Sequence, residues 1–245
     1  MTSAAVEWSG AERFAIYYAP PRGSAWWEAG CAWLSRDPES GEMLDAPQPA
    51  GLARPLAEVT VAPFRYGWHG TLVPPFHLAP GVTPEAVLAA VQQWAATRTP
   101  FALAAEAATL GSFVALRPAD EAGDTALREL AGDALRTLNG LRARQTPAEL
   151  ARRLDAPLTA RQRAYVEEWG YPYVFEEFRF HMTLTDSLDD ACERDALVAA
   201  WNAQMADAGA LPVEGVALFV EPQRGAPFAL WRRAAFSGRD GELRA

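Results

Sequence analysis

Two tetrapeptides, His69-Gly70-Thr71-Leu72 and His181-Met182-Thr183-Leu184, take up two of the chain's three histidines, and the same order of elements follows each. That recurrence constrains the fold more than any bulk property. After the first motif the pattern predicts a helix over 83–97, with Val87, Leu88, Val91 and Trp94 at helical spacing, then strands over 101–107 and 112–116. After the second it predicts a helix over 189–208 carrying Leu197, Val198, Trp201 and Met205, then strands over 213–220 and 227–231. The closing strands also match in pattern, Phe113-Val114-Ala115-Leu116-Arg117 against Phe228-Ala229-Leu230-Trp231-Arg232. A strand, helix, strand, strand order met twice implies an internal duplication. The expected architecture is α+β: a single bilobal domain over 1–245, pseudo-two-fold, with antiparallel sheets lining a central cleft and helices outside.

The first lobe is expected mainly over 60–120 and the second over 171–236. Between them, 120–170 reads as a helical insertion, with helices over 127–141 and 159–169 and a helix start at Thr146-Pro147-Ala148-Glu149: cap, proline, then Glu three residues after the cap. The insertion either covers one edge of the cleft or packs on the outside. Ahead of the first lobe, 13–19 alternates as a strand, a helix follows from Ser24, and the proline-containing stretch 37–63 reads as an irregular excursion.

The first motif is read at the end of a strand over 64–72 stopped by Pro74-Pro75, the second in a strand over 173–185. Side chains alternate between the faces of a strand, so each His and its Thr share one face while Gly70, Leu72, Met182 and Leu184 share the other. Trp68 faces away from His69 by the same parity.

Composition narrows the partners. With 50% hydrophobic residues the chain can bury a sizeable core. A net charge of −9 lacks the basic stripe that long nucleic acid requires, though an RNA end or small nucleotide remains open. All 22 basic residues are Arg, which removes Schiff-base chemistry at a lysine. No apolar run reaches membrane length and the first eight residues lack the order of a signal peptide, so the expectation is a cytoplasmic protein with no membrane partner. Cys31 and Cys192 lie far apart, outside any metal-binding spacing, and read as reduced structural residues on helices.

A phosphodiester is opened when one group takes a proton from the attacking oxygen and another gives one to the leaving oxygen. Two imidazoles with an ordinary pKa of ~6.5 can share those tasks near neutral pH. The two threonine hydroxyls can donate to the phosphoryl oxygens as their charge grows. Which histidine is base and which acid is left open, and the scheme calls for no metal or cofactor.

These motifs resemble those of the 2H phosphoesterase superfamily, defined by two His-x-Thr/Ser motifs on two pseudo-symmetric lobes in a ligase T-like fold. The strings Arg13-Phe14-Ala15-Ile16-Tyr17, Arg65-Tyr66-Gly67-Trp68-His69-Gly70-Thr71-Leu72 and Phe178-Arg179-Phe180-His181-Met182-Thr183-Leu184 resemble the branch encoded beside carbon–phosphorus lyase genes and linked to phosphonate metabolism. The resemblance implies a metal-independent cyclic phosphodiesterase with His69, His181, Thr71 and Thr183 as its catalytic set. The substrate it implies is a 2′,3′-cyclic nucleotide or a small sugar cyclic phosphate. One departure is clear: the branch often has Lys after the first motif, and here Val73 stands there.

Arg179 and Arg65 are the candidate replacements for that cation, each placed on its motif's face by strand parity, against the alternative of pairing with a surface carboxylate such as Glu176 or Glu177. Tyr17 is a candidate for the cleft or for the core. His77, without a Thr partner, reads as structural. Two other functions compete: a nucleotide- or phosphate-binding module that has lost turnover, and a metallohydrolase, for which the tetrapeptides undersupply ligands.

Overall fold

The computed structural model describes residues 8–52 and 54–238. The leader read as lacking a signal peptide lies, up to residue 7, outside them. Seven strands form one antiparallel sheet: β1 (Arg13–Tyr18), β2 (Gly70–Phe76), β4 (Ala105–Leu110), β5 (Phe113–Pro118), β6 (Met182–Thr183), β8 (Gly215–Glu221) and β9 (Ala229–Ala235), in the order β4-β5-β6-β2-β1-β8-β9. Two short strands, β3 (Phe101–Leu103) and β7 (Leu211–Val213), pair antiparallel beside it. The α+β class holds, with a correction to the expected pair of sheets. Gly70 pairs with Met182, so the strands carrying the two motifs are the adjacent middle of one continuous sheet.

The helices are α1 (Ala25–Trp33), α2 (Val61–Tyr66), α3 (Pro84–Ala96), α4 (Glu121–Leu138), α5 (Pro147–Leu154), α6 (Ala160–Trp169) and α7 (Ala191–Gln204). Their starts follow from side-chain caps: Ser24, Thr83, Thr146, Thr159 and Asp190 each accept a hydrogen bond from the first turn, which satisfies an otherwise unpaired amide. Thr146 and Thr159 complete reciprocal capping boxes with Glu149 and Gln162. Among the described residues no helix is long and apolar enough to cross a membrane.

The order strand, helix, short strand, hairpin occurs twice, as β2-α3-β3-β4-β5 and β6-α7-β7-β8-β9. The hairpins are exchanged. The β4-β5 hairpin lies against β6 of the other half, and β8-β9 lies beyond β1 on the side of β2. The helices cross over in the same sense, α3 packing on β9 and α7 on β4.

Two expected strands need correction. The segment 64–72 is not one strand: α2 runs to Tyr66, and Gly67 ends it at φ +75°, ψ 174°, a conformation that essentially only glycine adopts. Pro63 sits in the first turn of α2, where no backbone donor is needed. The strand then starts at Gly70 and continues through Pro74-Pro75, because register shifts in the β1–β2 pairing excuse the prolines from donating to the ladder. The second motif's strand shrinks from the expected 173–185 to Met182–Thr183, preceded by a 3-10 turn at Phe175–Glu177.

Behind the motifs lies an aromatic platform. Trp33, Trp68 and Trp201 are fully buried, with Trp201 centred 5.2 Å from Trp33 and 5.3 Å from Trp68. Two of the three polar edges find a carbonyl, the Trp33 Nε1–H donating to Leu184 O at 2.9 Å and the Trp68 Nε1–H to Trp26 O at 2.9 Å, whereas the buried Trp201 Nε1–H has no partner among the described residues. Trp68 therefore faces away from the cleft, held there by the core contacts and its bond to Trp26 O rather than by strand parity. Cys31 is buried in α1, whereas Cys192, on α7, is exposed rather than packed.

Candidate active site

His69, Thr71, His181 and Thr183 are all partly exposed, while Gly70, Leu72, Met182 and Leu184 between and after them are buried. The four polar residues share one face because the strands alternate. Continuing the Gly70–Met182 register by one residue in each direction sets His69 opposite Thr183 and Thr71 opposite His181. Directly opposite residues in an antiparallel pair have Cβ atoms about 5 Å apart. Each imidazole thus has one hydroxyl from its own motif and another from the partner motif.

Gly70 makes this approach possible. A Cβ there would meet the Phe180 ring at 2.4 Å and Met182 Cγ at 3.3 Å. Phe180 is the residue just before His181, so the missing side chain of the first motif is filled by the flank of the second.

Both rings are oriented in the same way. His69 Nδ1 lies 2.8 Å from Gly67 O, and His181 Nδ1 lies 2.9 Å from Arg179 O, in each case the carbonyl two residues back. A carbonyl only accepts, so Nδ1 carries the proton and Nε2 is the basic nitrogen of the neutral ring. Thr71 Oγ1 is 3.2 Å from His69 Nε2. The His69 ring is stacked on Tyr17, centroids 3.9 Å apart at 26°, and Tyr66 approaches at 6.0 Å. Burial, with a smaller contribution from the charge of His181, lowers the His69 pKa from 6.5 to about 4 against the opposing effect of the hydrogen bond that Nδ1–H donates to Gly67 O. Burial also lowers that of His181, and the charge of Arg117 adds to the effect.

A cleft of about 330 Å³ opens over the His69–Thr183 side of this face, lined in part by His69, Thr183, Tyr66, Phe113 and Asp186; Thr71, His181 and Arg117 are not among its lining residues. Asp186, three residues past Thr183, accepts from the amides of Val61 and Ala62 at 2.8 and 2.9 Å, so the sequel of the second motif holds the helix that leads into the first.

The remaining expected residues are placed as follows. Tyr17 is a core residue: it is fully buried, stands opposite Thr71 in the β1–β2 pairing and backs the His69 ring. Arg65 is on α2 and not on a strand with His69, which removes the parity argument for it. Its guanidinium pairs with buried Glu221 at 2.5 Å, a carboxylate shared with Arg13 at the same distance. Arg179 precedes the short strand, is exposed, and donates to Glu176 O and Phe178 O. His77 is exposed and contacts Glu12 O through Nδ1, apart from the pair. Val73 is fully buried, so no cation stands there. The sequence reading missed Arg117, which β5 carries beside His181; only the strand order reveals it. Among the described residues, no three His, Cys, Asp or Glu side chains are grouped as a metal would need.

Two curated relatives named Ribose 1,5-bisphosphate phosphokinase PhnN align with nearly the whole chain. The protein from Laribacter hongkongensis (strain HLHK9) is 43% identical over 226 residues, 90% of this chain and 51% of the relative. That from Janthinobacterium sp. (strain Marseille) is 37% identical over 238 residues, 93% of this chain and 51% of the relative. The chain spans about half the length of the curated relatives it matches. A solved structure, a conserved protein of unknown function, ATU0111, from Agrobacterium tumefaciens str. C58, aligns over 93% of this chain and 90% of its own with a TM-score of 0.41 and 13% identity. A family model described as "Protein of unknown function (DUF1045)" matches residues 71–229, from Thr71 through the whole second motif, and the chain belongs to that family.

Proposed function

We propose that this protein is a metal-independent cyclic phosphodiesterase of the 2H type, and that its repeated element order is the duplication that defines that class. The observation that carries the proposal is the pair of His-x-Thr motifs on neighbouring antiparallel strands, each imidazole donating through Nδ1 to the carbonyl two residues back, which leaves Nε2 as its basic nitrogen, with Thr71 Oγ1 3.2 Å from that of His69 in the free protein. The exchange of hairpins between the halves supports the duplication.

In the proposed reaction water attacks phosphorus, a new P–O bond forms, and one ring P–O bond breaks. The larger pKa depression falls on His69, so its Nε2 is the base that takes the proton from water. His181, protonated once the anionic substrate is seated, returns a proton to the leaving ribose oxygen. Thr71 and Thr183 donate to the equatorial oxygens, where negative charge accumulates.

The relatives' names point to phosphorylated ribose, and a kinase needs a phosphate-binding loop. The best-known one, G-x-x-x-x-G-K-[ST], requires a lysine that this sequence lacks. We therefore assign the kinase name to the half of those relatives that this chain does not span. The favoured substrate is a ribose 1,2-cyclic phosphate bearing a 5-phosphate: opening its ring at the 2-oxygen gives ribose 1,5-bisphosphate, the compound in the relatives' name. That product would place the reaction in phosphonate breakdown. Val73, where the resembling branch often has Lys, favours one second reading, a phosphate-binding module without turnover.

The test incubates the protein, with EDTA, with 2′,3′-cyclic nucleotides and ribose 1,2-cyclic phosphates beside His69→Ala and His181→Ala. Turnover that survives the chelator and falls by about 1,000-fold or more in both variants is expected. Binding of AMP with no turnover of any cyclic phosphate would favour the binding module.

A further inference from the structure

A cyclic phosphodiester is an anion, and more charge gathers on its non-bridging oxygens as the bond to water forms. The two imidazoles are neutral in the free protein near pH 7, the cleft wall carries Asp186, and the chain is acidic overall. Of the expected arginines, Arg65 is neutralised by Glu221, and Arg179, exposed and without a carboxylate partner among the described residues, folds back through Nη1 onto the backbone carbonyls of Glu176 and Phe178.

Arg117 is differently placed. The β5–β6 pairing sets Ala115 opposite Thr183 and Leu116 opposite Met182, and one further step sets Arg117 opposite His181. Phe113, Ala115 and Arg117 therefore share the face of the two motifs, and the Phe113 ring lies 5.8 Å from that of His181. Across the sheet, Arg117, His181, Thr71 and Tyr17 form one row over β5, β6, β2 and β1. The Arg117 Nε is buried and has no hydrogen-bond partner. Its ladder neighbour on the other side is Glu106, the obvious surface partner, yet no ion pair joins them among the described residues. A buried guanidinium N–H without an acceptor is costly unless a ligand supplies one.

We propose that Arg117 binds the non-bridging phosphoryl oxygens of the substrate beside His181, supplying from β5 the cation that is missing after the first motif. The proposal rests on the diesterase reading for its substrate. Its planar fork of donors suits two phosphate oxygens at once. The same charge depresses the His181 pKa in the free protein, and a bound phosphate anion would offset it, so His181 becomes a proton donor only when substrate is present.

The test titrates inorganic phosphate by calorimetry into the wild-type protein, Arg117→Met, Arg117→Lys and the surface control Arg128→Met, and measures cyclic phosphate turnover in all four. Arg117→Met is expected to weaken phosphate binding by about 10-fold or more and to lower kcat/KM by on the order of 100-fold, with partial recovery in Arg117→Lys and wild-type behaviour in Arg128→Met. The His181 ring resonances should titrate at higher pH in Arg117→Met, which checks that the Arg117 charge reaches His181. Phosphate bound as tightly by Arg117→Met as by the wild type, or no phosphate bound by the wild type, overturns the proposal. Loss of phosphate affinity in Arg117→Met, in a protein that turns over no cyclic phosphate, upholds Arg117 and defeats the diesterase. Turnover that both histidine variants abolish and Arg117→Met leaves intact defeats Arg117 alone.

Discussion

His69 is held neutral by the same contacts that aim it. Its ring is covered by Tyr17 and its Nδ1–H is committed to Gly67 O, and burial takes its pKa from 6.5 to about 4. The unfolded chain binds a proton at this position below about 6.5 and the folded chain resists until about 4. Stability is therefore highest above pH 6.5 and is lost as pH falls toward 4, by at most about 3 kcal/mol from this residue. His181 acts in the same direction. Urea midpoints at pH 4.5 and 7.5 should differ clearly in the wild type and less in His69→Phe, which keeps an aromatic ring on Tyr17 but cannot titrate. Equal slopes in the two proteins would mean that His69 is not the depressed group. The tetrapeptides themselves were legible in the sequence because alternation alone fixes which side chains share a face. Arg117 was not, since its relevance depends on β5 lying next to β6, about 65 residues away along the chain, and no local pattern encodes that pairing.

Legibility at the level of elements followed local chemistry. Helices with a Ser or Thr cap were placed within a few residues, because the cap decides where the first turn forms, whereas α4, capped by Asp120, starts six residues before the expected 127. The segment 64–72 misled because its aromatic run imitates strand alternation, whereas α2 is imposed by tertiary contacts. Asp186 holds its first turn. Arg36, buried at 6% exposure, closes its end: its guanidinium donates to Phe64 O at 3.0 Å and Arg65 O at 3.3 Å, and also to Phe228 O at 2.9 Å at the approach to β9. Phe64 O also accepts from Gly67 N–H at 3.3 Å and Arg65 O from Phe228 N–H at 2.8 Å, and the second lone pair of each carbonyl at the negative end of the helix tolerates a buried cation without a carboxylate partner. Arg36→Met should cost about 3 kcal/mol and lower activity by loosening Gly67 and His69. Arg36→Lys should restore little of either, since an ammonium cannot span three carbonyls held in a fork. A loss below about 1 kcal/mol in urea unfolding would show that α2 stands without it.

The whole molecule is tied together by exchange. The hairpin that follows the first motif completes the sheet beside the second, and the hairpin that follows the second lies beyond β1 on the side of the first. The repeated order of elements was expected but this interleaving was not, since the order of elements along a chain is silent on which strand a hairpin joins. The physical consequence is strong coupling. Separating the halves would strip β5 of β6 and β1 of β8, uncovering long edges whose amides and carbonyls have no other partner. It would also part α7 from β4 and α3 from β9, opening both sides of the apolar core at once. Neither half can therefore remain folded while the other melts. Calorimetry should show one transition whose van't Hoff and calorimetric enthalpies agree, and a chain cut within 143–145, between α4 and α5, should keep both pieces associated through the shared sheet. Two resolved transitions, or a first half that stays folded alone after the cut, would show that the continuous sheet does not hold the motifs together and that the site's geometry is maintained by each half separately.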